Sequence, residues 1–223
     1  MAAPALIIFD CDGVLVDSER LSHEVLQGLL VEWGVHIGFE EAVQQFIGLS
    51  IPGCVARVGE LLGRPAPEDF LSEFGQRTRR AFEAGLQPVA GVRAVLEGLR
   101  AQALPFAVAS NGNHAKVNFT LGHTGLRPLF EGRIFTADDV ARPKPAPDLF
   151  LHAAASLQAR PEHTVVVEDT PTGIRAAKAA GMRAIGFAGL TPAQRLLDAG
   201  ADTLAHSMAE LHHWLQHAGA TRP

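Results

Sequence analysis

Three short apolar runs in this chain each stop abruptly at polar or acidic residues, and that arrangement constrains the fold more than any other feature. Leu6-Ile7-Ile8-Phe9 runs into Asp10-Cys11-Asp12-Gly13, Phe106-Ala107-Val108-Ala109 into Ser110-Asn111-Gly112, and Val165-Val166-Val167 into Glu168-Asp169-Thr170. A short apolar run without polar alternation reads as a strand covered on both faces, as in a parallel sheet wrapped by helices. The segments between the runs agree. From Pro88 onward, expected helices over 92–99, 115–121, 148–157 and 171–181 alternate with expected strands over 106–109, 134–136, 165–167, 184–187 and 203–204.

Residues 18–85 break that rhythm. Leu21, Val25, Leu29 and Leu30, then Val43 and Phe46, then Val55, Val58, Leu61 and Leu62, then Phe70, Phe74 and Phe82 recur at helical spacing, with Gly34, Gly48 and Gly63 as breaks. This spacing predicts about four helices and no strand. The chain therefore reads as an α/β protein. A parallel sheet core with helices on both faces is expected from residues 1–16 plus 88–223, with a helical domain inserted over 17–87.

With 47% hydrophobic and 19% charged residues, the 223-residue chain has enough apolar surface for a packed core and too little charge for disorder. A formal charge of −5 and a pI of 6.0 argue against nucleic-acid binding, which calls for a basic face. Cys11 and Cys54 lie outside any C-x-x-C pattern, against a disulfide framework or a thiolate zinc site and in favour of a reducing compartment. The apolar stretch ending at Asp10 is too short for a signal peptide or a membrane span. A cytoplasmic protein without membrane contact, monomeric or weakly homo-oligomeric, is expected. Of nineteen basic residues only Lys116, Lys144 and Lys178 are lysines, so where one is kept its compact ammonium is expected to matter.

In open α/β sheets, ligands bind beyond the carboxyl ends of the strands. Those ends carry Asp10 and Asp12, Ser110 and Asn111, and Glu168 and Asp169, while Lys144 lies in Arg142-Pro143-Lys144-Pro145, stiffened by a proline on either side. Brought together, the carboxylates need a cation, because two like charges about 4 Å apart repel by about 4 kcal/mol at an effective dielectric of about 20. Oxygen donors suit Mg2+, which pairs a few carboxylates with substrate phosphate and water. Mg2+ and one lysine against a phosphate monoester form the simplest consistent set. In it Asp10 attacks phosphorus to give an aspartyl-phosphate. Asp12 protonates the leaving alkoxide and later deprotonates the hydrolytic water. Ser110, with Asn111 beside it, and nearby N–H groups hold phosphoryl oxygens, Lys144 offsets their charge, and Glu168 and Asp169 join Asp10 and Asp12 around the metal.

Phe9-Asp10-Cys11-Asp12-Gly13-Val14-Leu15-Val16-Asp17-Ser18-Glu19, Ala109-Ser110-Asn111-Gly112, Arg142-Pro143-Lys144-Pro145-Ala146-Pro147-Asp148 and Val167-Glu168-Asp169-Thr170-Pro171-Thr172-Gly173-Ile174 resemble, in order, the four signature motifs of the haloacid dehalogenase superfamily. The whole chain resembles its branch with a helical cap after the first strand, that of β-phosphoglucomutase and many sugar-phosphate phosphatases. The resemblance implies a Rossmann-like core, a mobile cap, Mg2+, and the roles given to Asp10, Asp12, Ser110, Lys144 and Asp169. It further implies that Asp12 meets the metal through its backbone carbonyl.

Within the superfamily, dehalogenases lack the second aspartate, present here as Asp12, and phosphonate-cleaving members use a cap lysine, whereas no lysine precedes Lys116. Aligned on the two aspartates, the mutase's cap histidine falls on Ser22, and its cap arginine, which grips a second phosphate, falls on Ile51, which cannot pair with one. A phosphatase for a sugar phosphate or sugar-acid phosphate such as 6-phosphogluconate is expected, with specificity on the cap around Glu19, Ser22, His23 and Gly48 to Ile51, Ser50 included, and arginines such as Arg57 steering anions. The alternatives are a β-phosphoglucomutase-like transferase and a catalytically silent phosphometabolite-binding protein.

Single residues also admit simpler readings. A calcium loop at Asp10-Cys11-Asp12-Gly13 would lack side-chain oxygens at Val14, Leu15 and Val16. Asp169, before Thr170-Pro171, is a candidate N-cap. Cys11 between two carboxylates reads as small and buried. His213 and His217 have i, i+4 spacing but no further evident ligand among His206 and His212, and read as a solvated helix face.

Overall fold

A computed structural model of the chain describes residues 3–217. After β1 (Leu6–Phe9) come four helices, α1 (Ser18–Glu32), α2 (Phe39–Phe46), α3 (Ile51–Leu62) and α4 (Phe70–Gly85). The chain continues through α5 (Val92–Ala101), β2 (Phe106–Ser110), α6 (His114–His123), β3 (Ile134–Thr136), α7 (Asp148–Ser156) and β4 (Thr164–Glu168). It then forms α8 (Pro171–Ala179), β5 (Arg183–Phe187), α9 (Ala193–Asp198), β6 (Thr203–Ala205) and α10 (Met208–His217). Two compact units result, one from the segment up to Val16 together with that from Gln87 onward, the other from Asp17–Leu86.

The first unit is built on a six-stranded sheet in the order β3-β2-β1-β4-β5-β6, every pairing parallel. The chain moves outward from β1 to β3 on one side, then returns to β4 and proceeds to β6 on the other. That reversal is a topological switch point, where an open sheet forms its ligand crevice. β1, β2 and β4 are buried along their whole length, which explains why their sequences lack alternation. Leu6 and Ile8 pack on one face with Ala107, Val166, Leu149 and Phe150. Phe9, one residue out of phase, meets Phe106 edge to face at 6.5 Å, and Phe106 meets Phe130 at 5.3 Å.

The N-cap of α8 is Thr170 and not Asp169. Thr170 Oγ1 accepts from Gly173 N at 3.0 Å, and Pro171 takes the first helical position, where its missing N–H costs nothing. The short helix α9 has no counterpart among the sequence expectations, because six residues are too few to display a helical period.

The helical unit has its own core. Leu26 and Leu30 of α1, Ala42 and Phe46 of α2, Val58 of α3 and Phe70 of α4 are buried together, and Trp33 packs edge-on to Phe70 at 5.8 Å. Arg77 of α4 bonds Glu32 of α1 at 2.6 Å and Glu73 at 2.7 Å. Among the described residues no helix is long and apolar enough to cross a membrane.

Candidate active site

Register brings the chemistry-bearing residues together. Phe9 is aligned with Val108 on one side and Val167 on the other, so Asp10 emerges between the ends of β2 and β4, its N–H donating to Val167 O at 2.9 Å. Lys144 completes the group from its loop. Its Nζ donates to Asp10 Oδ1 at 2.6 Å, Glu168 Oε1 at 2.6 Å and Ala109 O at 2.8 Å. The ends of three adjacent strands thus converge on one ammonium whose three protons are all used. The Lys144 side chain is 3% exposed, and the Phe150 ring lies 4.7 Å from Nζ.

The loop carrying Lys144 is held as firmly as its tip. Asn111 Oδ1 accepts from Lys144 N at 2.9 Å, and Asn111 Nδ2 donates to Lys144 O at 3.0 Å. The Asn111 amide, expected to hold a phosphoryl oxygen, is bonded to the backbone of Lys144 on both its N–H and its C=O side. Ser110 is buried at the end of β2, its Oγ accepting from Gly112 N at 3.0 Å. Glu168, expected at the metal, is bonded by the protein at both oxygens: Oε1 accepts from Lys144, and Oε2 accepts from Thr170 N at 3.0 Å and Thr170 Oγ1 at 2.8 Å. Asp169, next along, is buried.

Burial pushes the Asp10 carboxyl up to about 7, against the pull of Lys144 and with further upward pressure from Glu168 and Asp12. Burial acts on Lys144 in the opposite sense, but Asp10 and Glu168 outweigh it and hold the amine above its ordinary range, so it remains an ammonium. Cys11 is raised well above a normal thiol by burial and by Asp12 and Asp10, as expected for an inert cysteine. Asp12 forms an ion pair at 2.7 Å with Lys116, whose side chain is 45% exposed. No role was expected of Lys116; its one signal in the sequence was the scarcity of lysine.

The remaining expected residues belong to the helical unit. Glu19 Oε2 lies 3.8 Å from His23 Nδ1, and Ser22 Oγ donates to Ser18 O at 2.8 Å. Gly48 adopts a φ of 72°, which favours glycine. Ser50 caps α3 by accepting from Gly53 N at 3.3 Å. Arg57 is paired with Glu60 at 2.7 Å. In the sheet unit, His213 and His217 are exposed on α10.

Comparison with known proteins identifies the family. The sequence model of the haloacid dehalogenase-like hydrolases matches residues 4–181. The 6-phosphogluconate phosphatase of Escherichia coli (strain K12) is 29% identical over 185 residues, which cover 81% of this chain and 81% of that protein. A phosphorylated carbohydrates phosphatase of Thermotoga maritima is 30% identical over 201 residues, 89% of this chain and 92% of the relative. Two longer Arabidopsis thaliana relatives are spanned over 54% and 19% of their lengths. Among solved structures, a haloacid dehalogenase family hydrolase from Deinococcus radiodurans with bound phosphate and sodium superposes with a TM-score of 0.89 at 34% identity, covering 100% of both chains. With the motifs in order, the strand ends converging on Lys144 and the family match spanning most of its length, the chain belongs to the haloacid dehalogenase-like hydrolases.

Proposed function

We propose that the protein is a Mg2+-dependent phosphatase that hydrolyses the phosphate monoester of a small sugar or sugar acid through an aspartyl-phosphate. The observation that carries this reading is the Lys144 ammonium bonded at once to Asp10 and Glu168. A buried carboxylate approaching a phosphate dianion faces strong repulsion unless a fixed positive charge stands beside both. The two bacterial relatives described above, acting on 6-phosphogluconate and on phosphorylated carbohydrates, support the substrate class.

In the first step Asp10 Oδ attacks phosphorus, the bond from phosphorus to the ester oxygen breaks, and Asp12 protonates the departing alkoxide. In the second, Asp12 takes a proton from water as the water attacks phosphorus, releasing inorganic phosphate and regenerating Asp10. Ser110 Oγ and nearby N–H groups hold the phosphoryl oxygens while Lys144 offsets their charge. Lys116 keeps the Asp12 carboxylate from wandering.

The donor set suits Mg2+. It is all oxygen, with Asp10 7% and Asp169 6% exposed, and the Asp10, Asp12 and Glu168 carboxylates are paired with the ammonium groups of Lys144 and Lys116. Among the described residues no group of three or more His, Cys, Asp or Glu side chains stands ready as a cage, and Mg2+ needs none, since it keeps water and takes phosphate oxygens. Asp10, the Asp12 carbonyl and Asp169 would hold the ion, which when bound supplies positive charge to the phosphoryl group.

Hydrolysis is favoured over transfer between two phosphorylated positions. Ile51, which aligns with the mutase's phosphate-gripping arginine, is an apolar side chain 67% exposed. On the family resemblance, the helical unit acts as the cap, and Glu19, Ser22, Gly48 and Ser50 contribute to reading the substrate. The free cysteines and acidic pI support a cytoplasmic protein. A panel of phosphate monoesters assayed with Mg2+ and then with EDTA tests the proposal. Turnover confined to the Mg2+ arm is expected. Equal rates in both would remove the metal, and binding of monoesters without hydrolysis would favour the silent binding protein.

A further inference from the structure

Lys144 is only as well placed as the carboxylate it bonds, and that carboxylate is fixed from behind. Thr170 Oγ1 accepts a hydrogen bond from Gly173 N at 3.0 Å and lies 2.8 Å from Glu168 Oε2. A backbone N–H can only donate, so a hydroxyl lone pair is committed to Gly173. An ionised carboxylate can only accept, so the single hydroxyl proton must point at Glu168. The direction of the chain is therefore set, from Gly173 N–H to the Thr170 hydroxyl, from that hydroxyl to Glu168 Oε2, with Lys144 Nζ donating to Oε1 at the far side. The Thr170 N–H adds a second bond to Oε2 at 3.0 Å.

Helix α8 presses on the same carboxylate. A Cβ built on Gly173 would fall 1.8 Å from Glu168 Oε1 and 1.9 Å from its Cδ, so the first turn of the helix leaves no space for any side chain there. Glu168 is 1% exposed and bonded at both oxygens, so it has nowhere cheap to go.

We propose that Thr170 is a positioning residue for the phosphoryl chemistry, acting through Glu168 to fix the Lys144 ammonium, with Gly173 providing the space in which Glu168 sits. This rests on the phosphatase reading. An ordinary helix cap needs only the accepting half of the hydroxyl, which Asp or Asn would supply equally well. The donating half, aimed at a buried carboxylate that anchors a lysine, has no use in capping.

The test compares Thr170→Ser, which keeps both halves, with Thr170→Val, which keeps the shape and neither half, and Gly173→Ala, which keeps the hydroxyl but displaces the carboxylate. Steady-state kinetics on the best monoester of the panel are read with a Mg2+ titration and with urea unfolding of each variant. Thr170→Val and Gly173→Ala should lower kcat/KM by about ten- to a hundredfold, mostly in kcat, under conditions where unfolding shows each to be native, since displacements near 1 Å cost about that much. Thr170→Ser should stay within about threefold of the wild type, and half-saturating Mg2+ should move by less than about threefold in all three, which separates an effect on Lys144 from one on Asp169. A natively folded Thr170→Val with wild-type kcat/KM, or a Thr170→Ser as impaired as the valine, overturns the inference while leaving the phosphatase reading in place. A wild type that hydrolyses no monoester overturns both.

Discussion

Replacing Lys144 with methionine keeps the length of the side chain and removes its charge, and the structure sets the size of the effect. Both Asp10 Oδ1 and Glu168 Oε1 lie 2.6 Å from Nζ. Without the ammonium, tetrahedral donor geometry leaves these two oxygens facing each other at about 4 Å, where like charges repel by about 4 kcal/mol at an effective dielectric of about 20. Removing one partner of a buried pair costs about 3–5 kcal/mol in general. Against a total stability of about 5–15 kcal/mol, that is a large loss. Urea unfolding followed by circular dichroism in EDTA at pH 8.5 is the assay, because alkaline pH limits the relief Asp10 can gain by taking a proton. Lys144→Met should lose about 3–5 kcal/mol there, and Mg2+ should return part of it by supplying the missing positive charge. Lys144→Arg keeps the charge, but a planar guanidinium cannot set three donors on three convergent oxygens in this closed space, so the variant should fold less stably than wild type and turn over poorly. A Lys144→Met protein within about 1 kcal/mol of wild type in EDTA would mean that the carboxylates do not depend on the ammonium, and the electrostatic reasoning would fail.

Asp10→Asn should abolish turnover and, in EDTA, raise the thermal midpoint at pH 8. Burial lifts the Asp10 carboxyl to about 7, so its contribution to stability is full below the ordinary carboxylate range and lost as pH rises through about 7. Wild type should therefore lose stability from pH 5 to 8 more steeply than the variant; parallel curves would count against the shift. Asn111→Leu breaks both bonds to the Lys144 peptide and should reduce kcat by about tenfold or more, with about 1 kcal/mol of stability, in kinetics paired with unfolding. Lys116→Met should lower kcat/KM by about tenfold through a loosened Asp12 while changing stability by under about 1 kcal/mol, as the Lys116 side chain is 45% exposed; unchanged kinetics would release Lys116 from any role. Chelation should stop turnover and Mg2+ restore it, which a metal-insensitive rate would contradict.

The strands were legible because parallel sheets leave a local trace, a wholly apolar run that ends at a polar residue, and observed strand ends lie within one residue of those read. The convergence of Asp10, Lys144 and Glu168 was legible for the same reason, since strand ends must share one edge of the sheet. The divergences concern partners and not placement. Glu168 carries the same carboxylate as a metal ligand would, and its bond to Lys144, 24 residues away, leaves no local trace in the sequence. Asn111 looks like a turn residue after a strand, and its clasp on Lys144 spans 33 residues. Asp169 and Thr170 are both good caps, and Pro171 at the first helical position decides for Thr170. Lys116, Lys144 and Lys178 bond Asp12, Asp10 and Asp202 at 2.7, 2.6 and 2.7 Å, so every lysine of the chain is matched to an aspartate.

The strand that leads into Asp10 is made by the ribosome before both of its neighbours and enclosed late. Its neighbours in the sheet, aligned Ile8 to Ala107 and Ile8 to Val166, are translated only after the whole helical segment has emerged. At about 5–20 residues per second, β1 waits on the order of ten seconds or more for its second partner. During that wait a fully apolar edge is open to wrong pairings, whereas Asp17–Leu86 is contiguous and can close on its own core first. Translation speed and chaperone capture before β4 appears should therefore govern how much of the newly made chain reaches the native state.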